Sequence, residues 1–424
     1  KPEAEVIMVD EAAAVPADLL KRILLGWPRV IYASTVHGYE GSGRGFAIRF
    51  RSVLDAETPH WRNTSLTAPI RWSASDPLEP LTRRMFLLDA QAPPVSDDEV
   101  NIAVERWNPG TAEDNELEEA FGLLVDAHYR TSPGDLRQWM DDPAAVSWRL
   151  TRGGVLVGVL WATVEGGLDS ELAEQVMLGK RRLRGHLLPQ SLATHSGFAK
   201  AACQSLLRIV RIAVSAEVRG EGLGQTLVAA ANDYACKQGL DGIGTSFGGN
   251  AGLLSFWQRC GLEPVRLGLK REASSGEYPL QLLAGVSAQG KALTDHLRGR
   301  LTEHWLTLVP RNWIDAEPEL ILRITCGLPA DRPLNENDFR DLHSFAHGYR
   351  GFDLALPVLR RLSLQAGVVN GMADERSRSL WARAVLQGWS WPELQANGEC
   401  VGREAGEAEL RSLVGDILQN RPDL

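Results

Sequence analysis

Between residues 208 and 225 the chain reads Arg208-Ile209-Val210-Arg211-Ile212-Ala213-Val214, then residues 215–218, then Arg219-Gly220-Glu221-Gly222-Leu223-Gly224-Gln225. An apolar β-branched run ends in Arg-x-x-Gly-x-Gly and opens an amphipathic helix over Thr226–Cys236. That order of residue types suits one task, which is holding a pyrophosphate. Glycines let the backbone approach a ligand closely, and the N–H groups at the positive end of a helix attract phosphate oxygens.

A second constellation opens the chain. Val6-Ile7-Met8-Val9 is followed by Asp10-Glu11, an apolar strand ending in two carboxylates. This is a Walker B-type pattern, in which the carboxylates hold Mg²⁺ and orient the hydrolytic water of a nucleotide triphosphatase. No Gly-x-x-x-x-Gly-Lys-[Ser/Thr] precedes it. The stretch Gly285-Val286-Ser287-Ala288-Gln289-Gly290-Lys291-Ala292 nearly spells that loop. Ala292 lacks the hydroxyl that should reach Mg²⁺, so the stretch reads as an interdomain turn. The opening Lys1-Pro2-Glu3-Ala4-Glu5 enters a strand so abruptly that the chain reads as the tail of something longer.

Two further clusters are weighed against simpler readings. From Lys180 to Arg211 the chain carries Lys180, Arg181, Arg182, Arg184, Lys200, Arg208 and Arg211 and no acidic residue. Lys180-Arg181-Arg182-Leu183-Arg184-Gly185-His186 is the best footprint for RNA phosphates. His343 and His347 share a helical face but have no third ligand in sight, so no metal site is expected.

The elements that must position these residues fall into blocks. Residues 1–92 give strand Val6–Val9, a helix near Ala17–Leu25, strand Val30–Ala33 and the Gly-rich loop Gly38–Gly45, a parallel α/β unit. Ala92-Pro93-Pro94-Val95-Ser96-Asp97-Asp98-Glu99 reads as a linker. Residues 95–285 offer strands at Val146–Leu150, Val155–Val164, Ile209–Val214, Gly242–Thr245 and Tyr278–Leu283, with helices after Gly224 and over Ala251–Cys260. Residues 286–424 read as mostly helical, with amphipathic stretches at Ser379–Leu386 and Glu407–Leu418.

Composition sets the limits. A chain of 424 residues with 44% hydrophobic and 23% charged residues is an ordinary multidomain globular protein. Its longest apolar run, Val155–Val164, is too short to cross a membrane. Five widely spaced cysteines without Cys-x-x-Cys fit a reducing cytoplasm. A net charge of -9 argues against indiscriminate nucleic-acid binding but allows a local basic groove.

The Arg219–Gln225 loop resembles the acyl-CoA loop of the GNAT acetyltransferases. Asn250-Ala251-Gly252-Leu253, Phe256-Trp257 and Cys260-Gly261-Leu262 resemble a second GNAT element. Trp257 stands there where a Tyr often protonates the departing thiolate. Indole cannot serve as that acid, so Trp257 reads as a core aromatic.

The Walker B block, Ser34–Phe46 and a GNAT domain together closely resemble the bacterial tRNA(Met) cytidine acetyltransferases. Ala68–Trp72, Ala127–Pro133, Phe256–Gly261 and Arg271–Gly276 are further matching stretches. The resemblance implies an α/β multidomain chain: the Walker B side of a RecD-like P-loop NTPase over 1–92, a GNAT domain over 95–285, and a helical tRNA-binding domain over 286–424. It also implies an N-terminal region and Walker A loop that this sequence lacks, so no competent ATPase is expected from it alone.

Carried over residue by residue, the resemblance puts acetyl-CoA on Ile212, Ala213 and Val214, with its pyrophosphate on Arg219, Gly220, Glu221, Gly222, Leu223, Gly224 and Gln225. Arg259 is a further cationic contact. ATP or GTP with Mg²⁺ would meet Asp10, Glu11 and Arg71. His128, in the stretch Ala127-His128-Tyr129, is the candidate general base, because imidazole titrates near neutrality. Lys180, Arg181, Arg182 and Arg184 are the candidate RNA contacts, with Arg376, Arg378 and Arg383 as further ones. The implied reaction moves acetyl to the N4 amine of the wobble cytidine of elongator tRNA(Met), in the cytoplasm, with no membrane and no obligate protein partner. Two other readings compete. One is a GNAT acetyltransferase acting on a protein or small-molecule amine. The other is an RNA-binding or remodelling NTPase with an inactive GNAT domain.

Overall fold

The computed structural model describes residues 3–35, 50–51, 53–73, 75–95, 101–128, 131–272, 275–329, 332–365, 367–369, 371–372 and 374–421. The Gly-rich loop Gly38–Gly45, Ser96–Glu99 of the expected linker, Tyr129 and Ala273–Ser274 lie outside the described residues.

The chain begins β1 (Ile7–Val9), α1 (Ala17–Gly26), β2 (Val30–Tyr32), α2 (Leu78–Met85), β3 (Ile102–Trp107), α3 (Asp114–Ala127), α4 (Pro133–Asp141), β4 (Ala145–Arg152) and β5 (Val155–Gly166). It continues through α5 (Ser170–Met177), α6 (Leu187–Ser196), α7 (Lys200–Cys203), β6 (Ser205–Val214), α8 (Leu223–Lys237), β7 (Gly242–Gly248), α9 (Ala251–Arg259), β8 (Glu263–Leu267) and β9 (Pro279–Gly285). The helices α10 (Ala288–Asn312), α11 (Pro318–Gly327), α12 (Glu336–His347), α13 (Phe352–Ser363), α14 (Glu375–Trp381), α15 (Trp391–Ala396) and α16 (Arg403–Asn420) complete it.

These elements pack as two compact units. The first holds residues 1–166, 205–243 and 272–276; the second holds 167–204, 244–271 and 277–424. The units cut across the expected blocks, because residues 167–204 leave the first between two of its neighbouring strands. Among the described residues no helix is long and apolar enough to cross a membrane.

In the first unit β1 and β2 are parallel, with Ile7 opposite Val30 and α1 as the connection. Ala12, Leu20 and Phe50 form its small core, and Tyr32 packs edge-on to Phe50. Four strands of the same unit run in the order β3-β4-β5-β6, each antiparallel to the next. β5 is buried along nearly its whole length, as its unbroken apolar run requires of a strand covered on both faces. Leu117, Phe121 and Leu124 of α3 and Trp139 of α4 pack on Val159 and Trp161 of β5 and Ala213 of β6. Ser132 and Asp135 form a capping box that starts α4, with Pro133 in its first turn.

In the second unit residues 244–248 of β7 lie beside β9, and β8 lies outside it, in the order β7-β9-β8. The rest is helical, as its sequence predicts. Trp305 of α10 and the fully buried Trp313 pack with tilted rings, their centroids 5.2 Å apart, in this core. The near-Walker stretch at 285–292 is the turn from β9 into α10, inside this unit rather than between units. The Ser287 hydroxyl accepts the Gly290 N–H and caps the helix, so this turn is spent on its own backbone.

Candidate active site

β6 carries the candidate acyl-CoA residues Ile212, Ala213 and Val214. Opposite β5 its register slips: Trp161 pairs with Arg211 and Ala162 with Ile209, which leaves Val210 as an extra residue. Such a bulge bends a strand and re-aims the residues that follow it. Beyond Val214 the chain makes one short turn over Ala216–Val218 and enters the glycine loop.

The loop is shaped for close approach. Gly220 and Gly222 sit at φ 88° and 84°, in the left-handed region that glycine alone enters without strain. A Cβ on Gly220 would meet nothing within 4 Å, so the loop is open there. Gly222 leads into α8 without any side chain capping it, which leaves the first-turn N–H groups of Leu223, Gly224 and Gln225 for an anion. Arg219 donates from Nε to the Val214 carbonyl at 3.1 Å and remains exposed. Glu221 is drawn the other way, onto Arg152 at 3.2 Å. That last pair joins residues 69 positions apart, and no sequence signal announces it. The open loop, uncapped helix and exposed guanidinium fit a pyrophosphate.

His128 ends α3, its backbone N–H donating to the Leu124 carbonyl at 3.1 Å. Its Nε2 lies 3.1 Å from the Ile212 carbonyl oxygen. A carbonyl only accepts, so Nε2 carries the proton and the basic lone pair belongs to Nδ1. The candidate base and the candidate acyl-CoA strand, 84 positions apart, therefore meet in one place.

Other candidates divide sharply. Asp10 and Glu11 are both exposed after β1, and the Asp10 carboxylate accepts the Glu11 N–H at 3.0 Å. Glu11 is left-handed, at φ 46°. Carboxylate oxygens are the donors Mg²⁺ takes, and it keeps most of its waters. Arg71 is exposed, and no contact joins it to either carboxylate among the described residues. Arg259, the last residue of α9, is exposed in the second unit. Lys180, Arg181, Arg182 and Arg184 are all exposed between α5 and α6.

Several cations are already spent. Arg208 lies 2.6 Å from the buried Glu165, and Arg211 lies 3.2 Å from Asp135, so neither extends the basic run as a free charge. Arg378 grips both carboxylate oxygens of Glu319 and the carbonyls of Val369 and Met372. Arg383 donates to the Ile314 and Ala316 carbonyls and lies over the Trp389 ring. Both are structural, which corrects the expectation that they face RNA; Arg376 alone of the three is exposed without such ties.

Trp257 is buried against Phe247 and Phe256, as a core aromatic should be. Burial pushes the Cys260 thiol up to about 11, away from nucleophilic use. The His343 and His347 rings lie 5.9 Å apart, and among the described residues no group of three His, Cys, Asp or Glu could hold a metal ion. A cavity of about 300 Å³ opens beside β3 and β4, lined by Glu105, Trp107, Glu116, Glu119 and Arg149 among others. Arg149 is taken by Glu105 at 2.6 Å and Glu116 at 2.7 Å, so this cavity has no cation to offer a phosphate.

Residues 1–89 match the family model for the helicase domain of RNA cytidine acetyltransferase NAT10/TcmA, and residues 119–239 match the model GNAT acetyltransferase 2. The chain is 40% identical to a tRNA(Met) cytidine acetyltransferase TmcA of Nitrosococcus halophilus, over 97% of this chain and 57% of that one. The protein of the same name from Vibrio cholerae is 36% identical over 99% of this chain and 58% of its own. That from Haloarcula marismortui is 33% identical over 97% and 55%. The chain thus spans little more than half the length of these relatives.

Proposed function

From the premise that this chain belongs to the tRNA(Met) cytidine acetyltransferase family, we propose that it transfers acetyl from acetyl-CoA to the N4 amine of the wobble cytidine of elongator tRNA(Met), forming N4-acetylcytidine. The observation that carries this reading is His128 at hydrogen-bond distance from Ile212. It joins a base to the strand where the thioester would lie.

In this reading residues 1–92 are part of the NTPase module, 95–285 the GNAT domain and 286–424 the tRNA-binding domain. Acetyl-CoA supplies a thioester carbonyl open to attack. The Arg219–Gln225 loop and the start of α8 hold its pyrophosphate, and Arg259 adds a positive charge. The cytosine N4 lone pair is delocalised into the ring, so the amine must lose a proton as it attacks. His128 takes that proton at Nδ1, while its Nε2–H stays on the Ile212 carbonyl and fixes the ring; as the thioester C–S bond breaks, the imidazolium returns the proton to the departing CoA sulfur. The backbone N–H of Val214, which leaves β6 on the edge away from β5, receives the charge that develops on the thioester oxygen.

Lys180, Arg181, Arg182 and Arg184 bind RNA phosphates. Asp10, Glu11 and Arg71 serve ATP or GTP with Mg²⁺. Five free cysteines support a cytoplasmic setting.

The test is incubation with labelled acetyl-CoA and unmodified elongator tRNA(Met), with and without ATP, followed by mapping of the label. N4-acetylcytidine at the wobble position is the expected product. Label on an offered peptide or small amine, and none on tRNA, would overturn the acceptor. An unlabelled reaction in which no acetyl-CoA binds would favour an inactive GNAT domain.

A further inference from the structure

The second unit carries a guanidinium and an imidazole that the acetyl transfer leaves unused. Gln281 of β9 stands directly across from Arg266 of β8, so both side chains leave the same face of the sheet. Gln281 is buried and exchanges hydrogen bonds with the Ser191 hydroxyl of α6 at 3.0 and 3.2 Å. That exchange fixes α6 over this face. His195 follows Ser191 by four residues and leaves α6 on the same side, one turn on. Its side chain is exposed and feels the charge of Arg266: partial desolvation lowers the His195 imidazole and the Arg266 charge lowers it further.

Arg266 is itself half-buried, and burial alone pulls its guanidinium down. Among the described residues it has no hydrogen-bond, ion-pair or ring partner. The neighbouring Arg298 makes the contrast: it reaches Glu263 at 3.6 Å and the Gly327 carbonyl. A half-buried guanidinium with no acid partner among the described residues is unfavourable until an anion arrives.

The sequence around α6 says which anion. The helix begins directly after Lys180–Arg184, and from Lys180 to Gln204 there is no acidic residue. Ten residues of helix span about 15 Å, a reach of a few nucleotides. We propose that Arg266 and His195 together bind a backbone phosphate of the RNA, which runs from Lys180–Arg184 along α6 to this pair. The inference rests on the reading that the chain acts on tRNA, and it adds a second phosphate contact, in a different strand, to that reading.

The experiment measures binding of unmodified elongator tRNA(Met) to the full chain across a range of salt, for wild type, Arg266→Gln and Arg266→Lys. Arg266→Gln should weaken binding about fivefold to tenfold and lower the slope of log affinity against log salt by about 0.7–0.9, the value of one phosphate contact. Arg266→Lys should keep most of that slope, and acetyl-CoA affinity should not change in either variant. A wild-type slope and affinity in Arg266→Gln would overturn the proposal while leaving the function intact. If the wild-type chain binds no tRNA at any salt, it is the functional reading that fails. Titrating the His195 imidazole resonance with inorganic phosphate then judges the pair alone: a saturating shift lost in Arg266→Gln supports a phosphate site, and no shift overturns it.

Discussion

His128 is held at both ends, by its backbone on Leu124 and by its ring on Ile212. His128→Ala should lower turnover by about 10²–10⁴, the usual worth of a positioned base, with acetyl-CoA affinity nearly unchanged. Single-turnover transfer set beside acetyl-CoA titration checks this, and unchanged turnover would remove His128 from catalysis. Thiol reactivity offers a second check on single residues. Burial raises Cys260 and Cys326 to about 11, whereas Cys236 is exposed. At about pH 8 the native chain should alkylate at Cys236 and spare Cys260 and Cys326, with all five labelled in denaturant, as peptide mass mapping would read. Rapid labelling of Cys260 would contradict its burial. Sequence alone placed Trp257 in the core because indole cannot serve as the thiolate's acid, and the fold buries it. It credited Arg378 and Arg383 to RNA, because nothing local reveals that Glu319 and two carbonyls already hold them.

At the scale of elements, the phosphate loop depends on Gly222 entering α8 left-handed. Gly222→Ala should strain the turn by about 1–2 kcal/mol and weaken acetyl-CoA binding about tenfold, with far-UV circular dichroism unchanged. Calorimetric titration measures it, and wild-type affinity would mean the loop does not hold the ligand. Replacing Lys180, Arg181, Arg182 and Arg184 together by Gln should flatten the salt dependence of tRNA binding by about 3 in log–log slope. An unchanged slope would sink that assignment. The elements behind these sites were unevenly legible. β5 and β6 were plain from their apolar runs. β3 was missed because Ile102, Ala103, Glu105 and Arg106 of this edge strand face solvent, which erases the alternation. β8 was missed because it is short and carries Pro264, a residue that argues against a strand. The expected helix over Ser379–Leu386 is α14 running into a wide turn, where the Gln387 N–H reaches back to the Ala382 carbonyl.

At the scale of the whole molecule, Arg378→Ala should separate structure from RNA binding. It leaves the half-buried Glu319 carboxylate with Arg323 alone, at a cost of about 1–2 kcal/mol, and should lower the melting temperature by a few degrees. The salt slope of tRNA binding should stay as in wild type; a lower slope with an unchanged melting point would restore Arg378 as an RNA contact. What the sequence determined by itself was local chemistry: the strand–glycine loop–helix that suits a pyrophosphate, the paired carboxylates after β1, and a run of exposed cations. Each of these is written in neighbouring residues, because backbone conformation and helix polarity act over a few positions. What only the tertiary structure decided was which charges remain available. Glu165 neutralises Arg208 across 43 positions, Glu319 holds Arg378 across 59, and Ile212 receives His128 across 84. Arg266 has no partner among the described residues, and the proposed one is a phosphate. The physical reason is that burial sets the worth of a charge by whatever the fold brings beside it, and those neighbours come from distant parts of the chain.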